Sequence, residues 1–113
     1  MKNTAILLTR FGMGQTDNQE LSTKLVQKYF SLLLEGGELP PVICFYTDGV
    51  KLVTNGSPIL EQLKQMEARG VRLIVCSTCL DAMGLANQLQ AGIVGGMPDI
   101  IEAQVRAEKV ITL

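Results

Sequence analysis

Val71-Arg72-Leu73-Ile74-Val75-Cys76-Ser77-Thr78-Cys79 is an apolar, β-branched run that passes straight into a pair of cysteines. Gly70 stands ahead of it, and the residues after it can start a helix near Thr78, with Asp81 in the first turn. A short Val/Ile-rich run behind a glycine reads as a buried strand. A strand that hands over directly to a helix is the βα half of a parallel-sheet unit. Backbone N–H groups and the helix dipole at such a junction stabilise a thiolate, so the cysteines meet the chain where sulfur chemistry is favoured.

The same alternation runs outward in both directions. Thr4–Thr9 reads as a buried strand. Asp17-Asn18-Gln19-Glu20 matches a capping box with Asp17 as N-cap and Glu20 at N3, and Leu21, Leu25, Tyr29 and Leu33 recur at helical spacing. That helix should stop at Gly36-Gly37, and Pro41–Thr47 gives a second strand. Asp48–Gly56 is loop-like. Ser57-Pro58 fits N-cap followed by proline at N1, Leu60, Leu63 and Met66 supply the buried stripe, and Gly70 ends the helix. Beyond the cysteines, Gly84 interrupts the third helix, Ile93–Val94 forms a short strand, Pro98–Ala107 a helix and Lys109–Leu113 a last strand. The order is βαβαβαβαβ with continuously apolar strands, as in a sheet covered on both faces. It predicts one domain over residues 1–113, a three-layer α/β/α sandwich with a mostly parallel five-stranded sheet. Reactive groups in such sheets collect beyond the carboxyl ends of the strands. Three loops lie there: Arg10–Thr16, Asp48–Gly56 and Cys76–Cys79.

Composition narrows the function. The chain has 113 residues, 47% of them hydrophobic, enough for a core. Its 10 basic and 11 acidic residues give a net charge of −1, and aromatic content is 4% with no Trp. Neither a nucleic-acid surface nor a base-stacking platform is expected. Ala5-Ile6-Leu7-Leu8 is too short for a signal h-region, and no apolar run approaches the about 18 residues of a membrane helix. A soluble, cytoplasmic protein is the expectation, in a compartment where its 3 cysteines stay reduced. The chain has 0 histidines, which excludes a Ser-His-Asp triad and a Cys-His dyad. A structural zinc site takes about four N or S ligands, more than Cys76, Cys79 and the distant Cys44 supply. No metal and no cofactor is expected.

Cys76 and Cys79 are the candidate catalytic residues. A thiolate can accept a sulfane sulfur, hold it as a persulfide and pass it on, with no general base required. The bland alternative is that Cys76 is only the last buried residue of a strand. A thioredoxin-like dithiol would place the CxxC after an early strand and face it with a cis-proline loop. Here it follows two βα units, and Pro98 lies at a helix start, where trans proline is the default. Dithiol redox chemistry on another fold stays open. Gly12-Met13-Gly14 could bring backbone to an anion, but it is not GxGxxG and reads more simply as a tight βα turn. Asp48-Gly49 reads as a turn, Lys51 as a solvated charge, Cys44 as core, and Tyr29 and Phe30 as packing.

Several segments together carry a family resemblance over nearly the whole chain. They are Leu7 to Gly14, Phe45-Tyr46-Thr47-Asp48-Gly49-Val50, Cys76-Ser77-Thr78-Cys79-Leu80-Asp81-Ala82-Met83-Gly84-Leu85, and Ala107-Glu108-Lys109-Val110-Ile111-Thr112-Leu113. On these residues the chain resembles the DsrE/DsrF-like family, which takes in TusD-like, YchN-like and YedF-like members. The resemblance implies a Rossmann-like sheet, oligomers that are often trimers or hexamers, and sulfur transfer through a cysteine persulfide. It implies that Cys76 corresponds to the sulfur-carrying cysteine of TusD-like members, and that Cys79 has a counterpart in YchN- and YedF-like ones. It also implies a TusA-like carrier as a partner, here expected as a separate chain. Cys76 is thus expected to carry the persulfide, with Cys79 resolving it or tuning its pKa. A non-enzymatic oligomeric binding or regulatory module, and a reversible Cys76–Cys79 disulfide switch, are the alternatives.

Overall fold

The computed structural model describes residues 1–113. Five strands form one sheet: β1 (Thr4–Leu8), β2 (Val42–Phe45), β3 (Arg72–Cys76), β4 (Ile93–Gly95) and β5 (Lys109–Thr112). Their order is β4-β3-β2-β1-β5, and every neighbouring pair is parallel. The helices are α1 (Gln19–Gly36), α2 (Leu60–Ala68), α3 (Ser77–Ala82) and α4 (Met97–Arg106). Right-handed crossovers put α1 and α2 on one face and α4, whose connection runs back across the sheet, on the other. The α/β sandwich expected from the alternating pattern is therefore present, with a wholly parallel sheet.

Burial explains which strands are apolar. Every residue of β1 and β2 is buried, as is β3 from Leu73 onward. The expectation that all strands are covered on both faces fails at the edges. Ile93 is 71% and Val94 48% exposed in β4, and β5 is no better covered. An edge strand has a neighbour on one side only, and α4 touches β4 at Gly95 without covering Ile93 and Val94.

Three local expectations shift. The α1 cap is Asn18, not Asp17: its Oδ1 accepts from the Leu21 N–H at 3.0 Å, which places Leu21 rather than Glu20 at N3. The buried row of α1 is Ser22, Val26 and Phe30, while Leu21 and Leu25 are 44% and 39% exposed. A serine takes an inward position because its hydroxyl is satisfied there. Ser22 Oγ donates to Met13 O at 3.1 Å and accepts from Met13 N–H at 2.9 Å. The α2 helix starts at Leu60, so Ser57 caps only the lead-in turn, accepting from Ile59 N–H at 3.2 Å.

The segment expected as a loop after β2 is a 3₁₀ helix over Thr47–Val53 that buries Gly49, Val50, Leu52 and Val53. Gly49 permits it. A Cβ there would lie 1.8 Å from Leu8 O, so only glycine lets this segment close onto the end of β1. That contact brings the carboxyl ends of β1 and β2 together.

Candidate functional site

The site begins where β3 ends. Cys76 is the last residue of the strand and the N-cap of α3, and it is only 1% exposed. Cys79 lies within the first turn of α3 and is half-buried. The short CxxC spacing thus puts a buried thiol and a reachable one side by side at the carboxyl edge of the sheet. All three cysteines are free.

Thr47 joins β2 to this pair. Its backbone N–H donates to Cys79 Sγ at 3.1 Å. The residue holds a left-handed conformation, φ 50°, which is costly for a β-branched side chain. Its hydroxyl fixes it there, 2.6 Å from Thr9 O and 2.7 Å from Tyr46 O. The ends of β1, β2 and β3 therefore converge on one sulfur. Thr47 was missed in the sequence, where it counted only as the end of a strand. The signal available was Gly49 two residues on, a glycine where backbone must approach backbone.

The electrostatics differ from the expected helix-stabilised thiolate. Burial pushes the Cys79 thiol above its ordinary value, the Thr47 N–H pulls it down, and the neighbouring Cys76 thiol pushes it up again. Burial is the largest of these influences and the net shift is upward. Cys44 sits apart in the middle of β2, fully buried, and burial lifts it to about 11 against the opposing pull of Arg72. It is core, as expected, and no group of three or more His, Cys, Asp or Glu is placed to hold a metal ion.

A polar cleft of about 310 Å³ opens between the loop after β1, the start of α1 and the 3₁₀ helix, and neither Cys76 nor Cys79 lines it. Arg10, Gln15, Thr16, Asp48 and Lys51 line it. Lys51, expected as a solvated charge, is exposed and pairs with Asp48 at 3.2 Å. The glycine loop is the tight turn that the sequence favoured. A Cβ on Gly12 would strike Ser22 Oγ at 2.1 Å, and the Met13 N–H is already spent on Ser22.

Fold and site together define an α/β protein with a cysteine pair at the carboxyl edge of a parallel sheet. The chain belongs to the DsrE/DsrF-like family, whose model matches residues 38–113. Among solved structures it is similar to the YchN protein from E. coli, with a TM-score of 0.68 and 19% identity over 97% of this chain and 98% of that one. MTH1491, a protein of unknown function from Methanobacterium thermoautotrophicum, aligns at TM-score 0.69 and 19% identity, covering 99% and 98%. BT1422, of unknown function from Bacteroides thetaiotaomicron, aligns at 0.68 and 20%, covering 98% and 95%. At such identities the likeness is one of fold. No curated protein sequence matches the chain.

Proposed function

We propose that this DsrE-like chain is a sulfur-relay protein that carries sulfane sulfur as a persulfide on its Cys76–Cys79 pair. The observation that carries the reading is the half-exposed Cys79 sulfur held by the Thr47 N–H beside a buried Cys76. The Cys79 thiolate attacks the outer sulfur of a donor persulfide, the donor's S–S bond breaks, the donor leaves as a thiolate, and the sulfur stays as Cys79–S–S⁻. The Thr47 N–H stabilises negative charge at this sulfur as a hydrogen-bond donor. Transfer to an acceptor thiolate regenerates Cys79. The difference in exposure supports Cys79 as the acceptor and Cys76 as the resolving thiol, the reverse of the roles expected from the resemblance. The transfer is a sulfurtransferase reaction, suited to a reducing cytoplasm and to a TusA-like carrier as partner.

Incubation with a sulfane donor followed by peptide mass spectrometry tests this. A 32 Da adduct (about one sulfur atom) is expected on Cys79 in the wild type and in Cys76→Ser, and absent in Cys79→Ser. No adduct on either cysteine ends the proposal. A homo-oligomer, trimer or hexamer, is part of the same reading. Ile93, Val94, Met97, Ile101 and Val105 are all at least 48% exposed around β4 and α4, an apolar area suited to a second copy. Sedimentation that finds only monomer removes that part. Adjacency of the two thiols favours a second reading, a reversible disulfide, which a redox titration showing no Cys76–Cys79 bond would eliminate.

A further inference from the structure

Cys76 is a thiol without an external partner. It is 1% exposed at the end of β3, so a donor or acceptor from solution cannot touch it, and its register neighbour on β4 is Gly95, which has no side chain. Cys44, on the adjoining strand, is in register with Ile74, two residues before Cys76. The sulfur that Cys76 does meet is that of Cys79. Cys76 is the N-cap of α3 and Cys79 is N3, positions whose side chains face each other across the first turn, as the partners of a capping box do. A hydrogen bond joins the two thiols. The Thr47 N–H also holds Cys79 Sγ, at 3.1 Å.

A persulfide offers two sulfurs to a thiol. Attack on the outer sulfur moves it to the attacker, which is transfer. Attack on the inner sulfur forms a disulfide and expels the outer one as hydrosulfide. In Cys79–S–S⁻ the inner sulfur is the Sγ that Thr47 holds and Cys76 already touches.

We infer that Cys76 gives the site a second activity: it attacks the inner sulfur of the Cys79 persulfide and discharges sulfur that no acceptor has collected as hydrosulfide. The inference rests on the sulfur-carrying role proposed above. The Cys76–Cys79 S–S bond forms and the bond to the outer sulfur breaks. The electron pair and the Cys76 proton leave with that sulfur as HS⁻. One persulfide anion and one thiol become one disulfide and one hydrosulfide, with the sulfane sulfur reduced and the two cysteine sulfurs oxidised. The proton comes from Cys76 itself, so a chain with 0 histidines needs no separate base. The site then stays closed until a dithiol reductant from solution reopens the disulfide.

A single loading of the whole chain tests this. Glutathione persulfide is the donor, and rapid desalting removes it together with glutathione, which leaves the chain without an acceptor. Timed samples are treated with monobromobimane to trap hydrosulfide, and the protein is mapped by peptide mass spectrometry. The wild-type adduct should form first and then decay to a Cys76–Cys79 disulfide, with one hydrosulfide for each persulfide lost and a rate independent of protein concentration. Cys76→Ser and Cys76→Ala should keep the Cys79 adduct at least about tenfold longer, because both lack the intramolecular thiol. A wild-type adduct as long-lived as that of the two variants overturns the inference and leaves the sulfur-carrying role standing. A decay that quickens with protein concentration also overturns it, since the attack then comes from another chain. No adduct in either variant, and neither adduct nor hydrosulfide in the wild type, ends the sulfur-carrying role itself.

Discussion

Thr47 shows how one residue sets the chemistry of another. Its N–H bond to Cys79 Sγ is the one influence that lowers the thiol's pKa, against burial and the Cys76 thiol. Only the thiolate attacks, so alkylation of Cys79 should reach half its plateau above pH 9.0, the ordinary thiol value, because the shift is upward. Thr47→Val removes the hydroxyl that holds φ at 50° and keeps the branched side chain that opposes it. The left-handed turn should relax and the N–H should leave the sulfur. The expected outcomes are a loss of about 1 kcal/mol in stability and a midpoint for Cys79 alkylation higher than in the wild type. Stopped-flow alkylation across pH reads both midpoints, and an unmoved midpoint in Thr47→Val would show that the N–H bond has no electrostatic effect. Cys76 and Cys79 were visible in the sequence because thiols are rare and their spacing was distinctive. Thr47 was not, because its role comes from a backbone N–H and a positive φ, neither of which has a side-chain signature.

At the scale of elements, the regular pieces were legible and the irregular one was not. Strands β1 to β3 are largely apolar runs, broken only by Thr4 and Arg72 at their starts, and α1 ends where Gly37 takes φ 73°, as its glycine pair predicted. The 3₁₀ helix was read as loop because Asp48-Gly49 is also a turn signature. Gly49 is there for proximity to Leu8 O, and Gly49→Ala should therefore cost about 3 kcal/mol or more, since the atom it meets is backbone and cannot step aside. Urea denaturation measures this, and a loss under 1 kcal/mol would mean that the 3₁₀ helix can shift away from β1. The α1 cap offers a sharper comparison. Asn18→Ala should cost about 1 kcal/mol and Asp17→Ala nearly nothing, because the N3 donor is bonded to Asn18 Oδ1 alone. Equal losses in the two variants would restore the capping box that the sequence implied. The hydrophobic ranking that favoured Leu21 and Leu25 over Ser22 failed for a related reason: a serine whose hydroxyl is paired at both ends costs little to bury.

For the whole molecule, the thiol that matters most is the one without chemistry. Cys44 stands at the centre of the sheet, in register with Leu7 on β1 and Ile74 on β3, and is fully buried. Burial raises it from 9.0 in the unfolded chain to about 11 in the fold. The folded state thus keeps a proton that the unfolded state gives up. Stability from the neutral thiol is complete below pH 9.0 and is lost as pH climbs toward about 11, a difference of about 3 kcal/mol at most. Cys44→Ala should be less stable at pH 7 because it leaves a small void, yet its stability should fall less steeply between these pH values. Cys79 and Tyr29, both also raised by burial, titrate in both proteins, so the difference in slope belongs to Cys44. Urea denaturation at intervals across the alkaline range gives the two curves. Parallel curves would mean that the sheet opens enough to hydrate the Cys44 thiolate. Diverging curves would mean that the parallel core stays closed through the pH range in which Cys79, at its edge, becomes reactive.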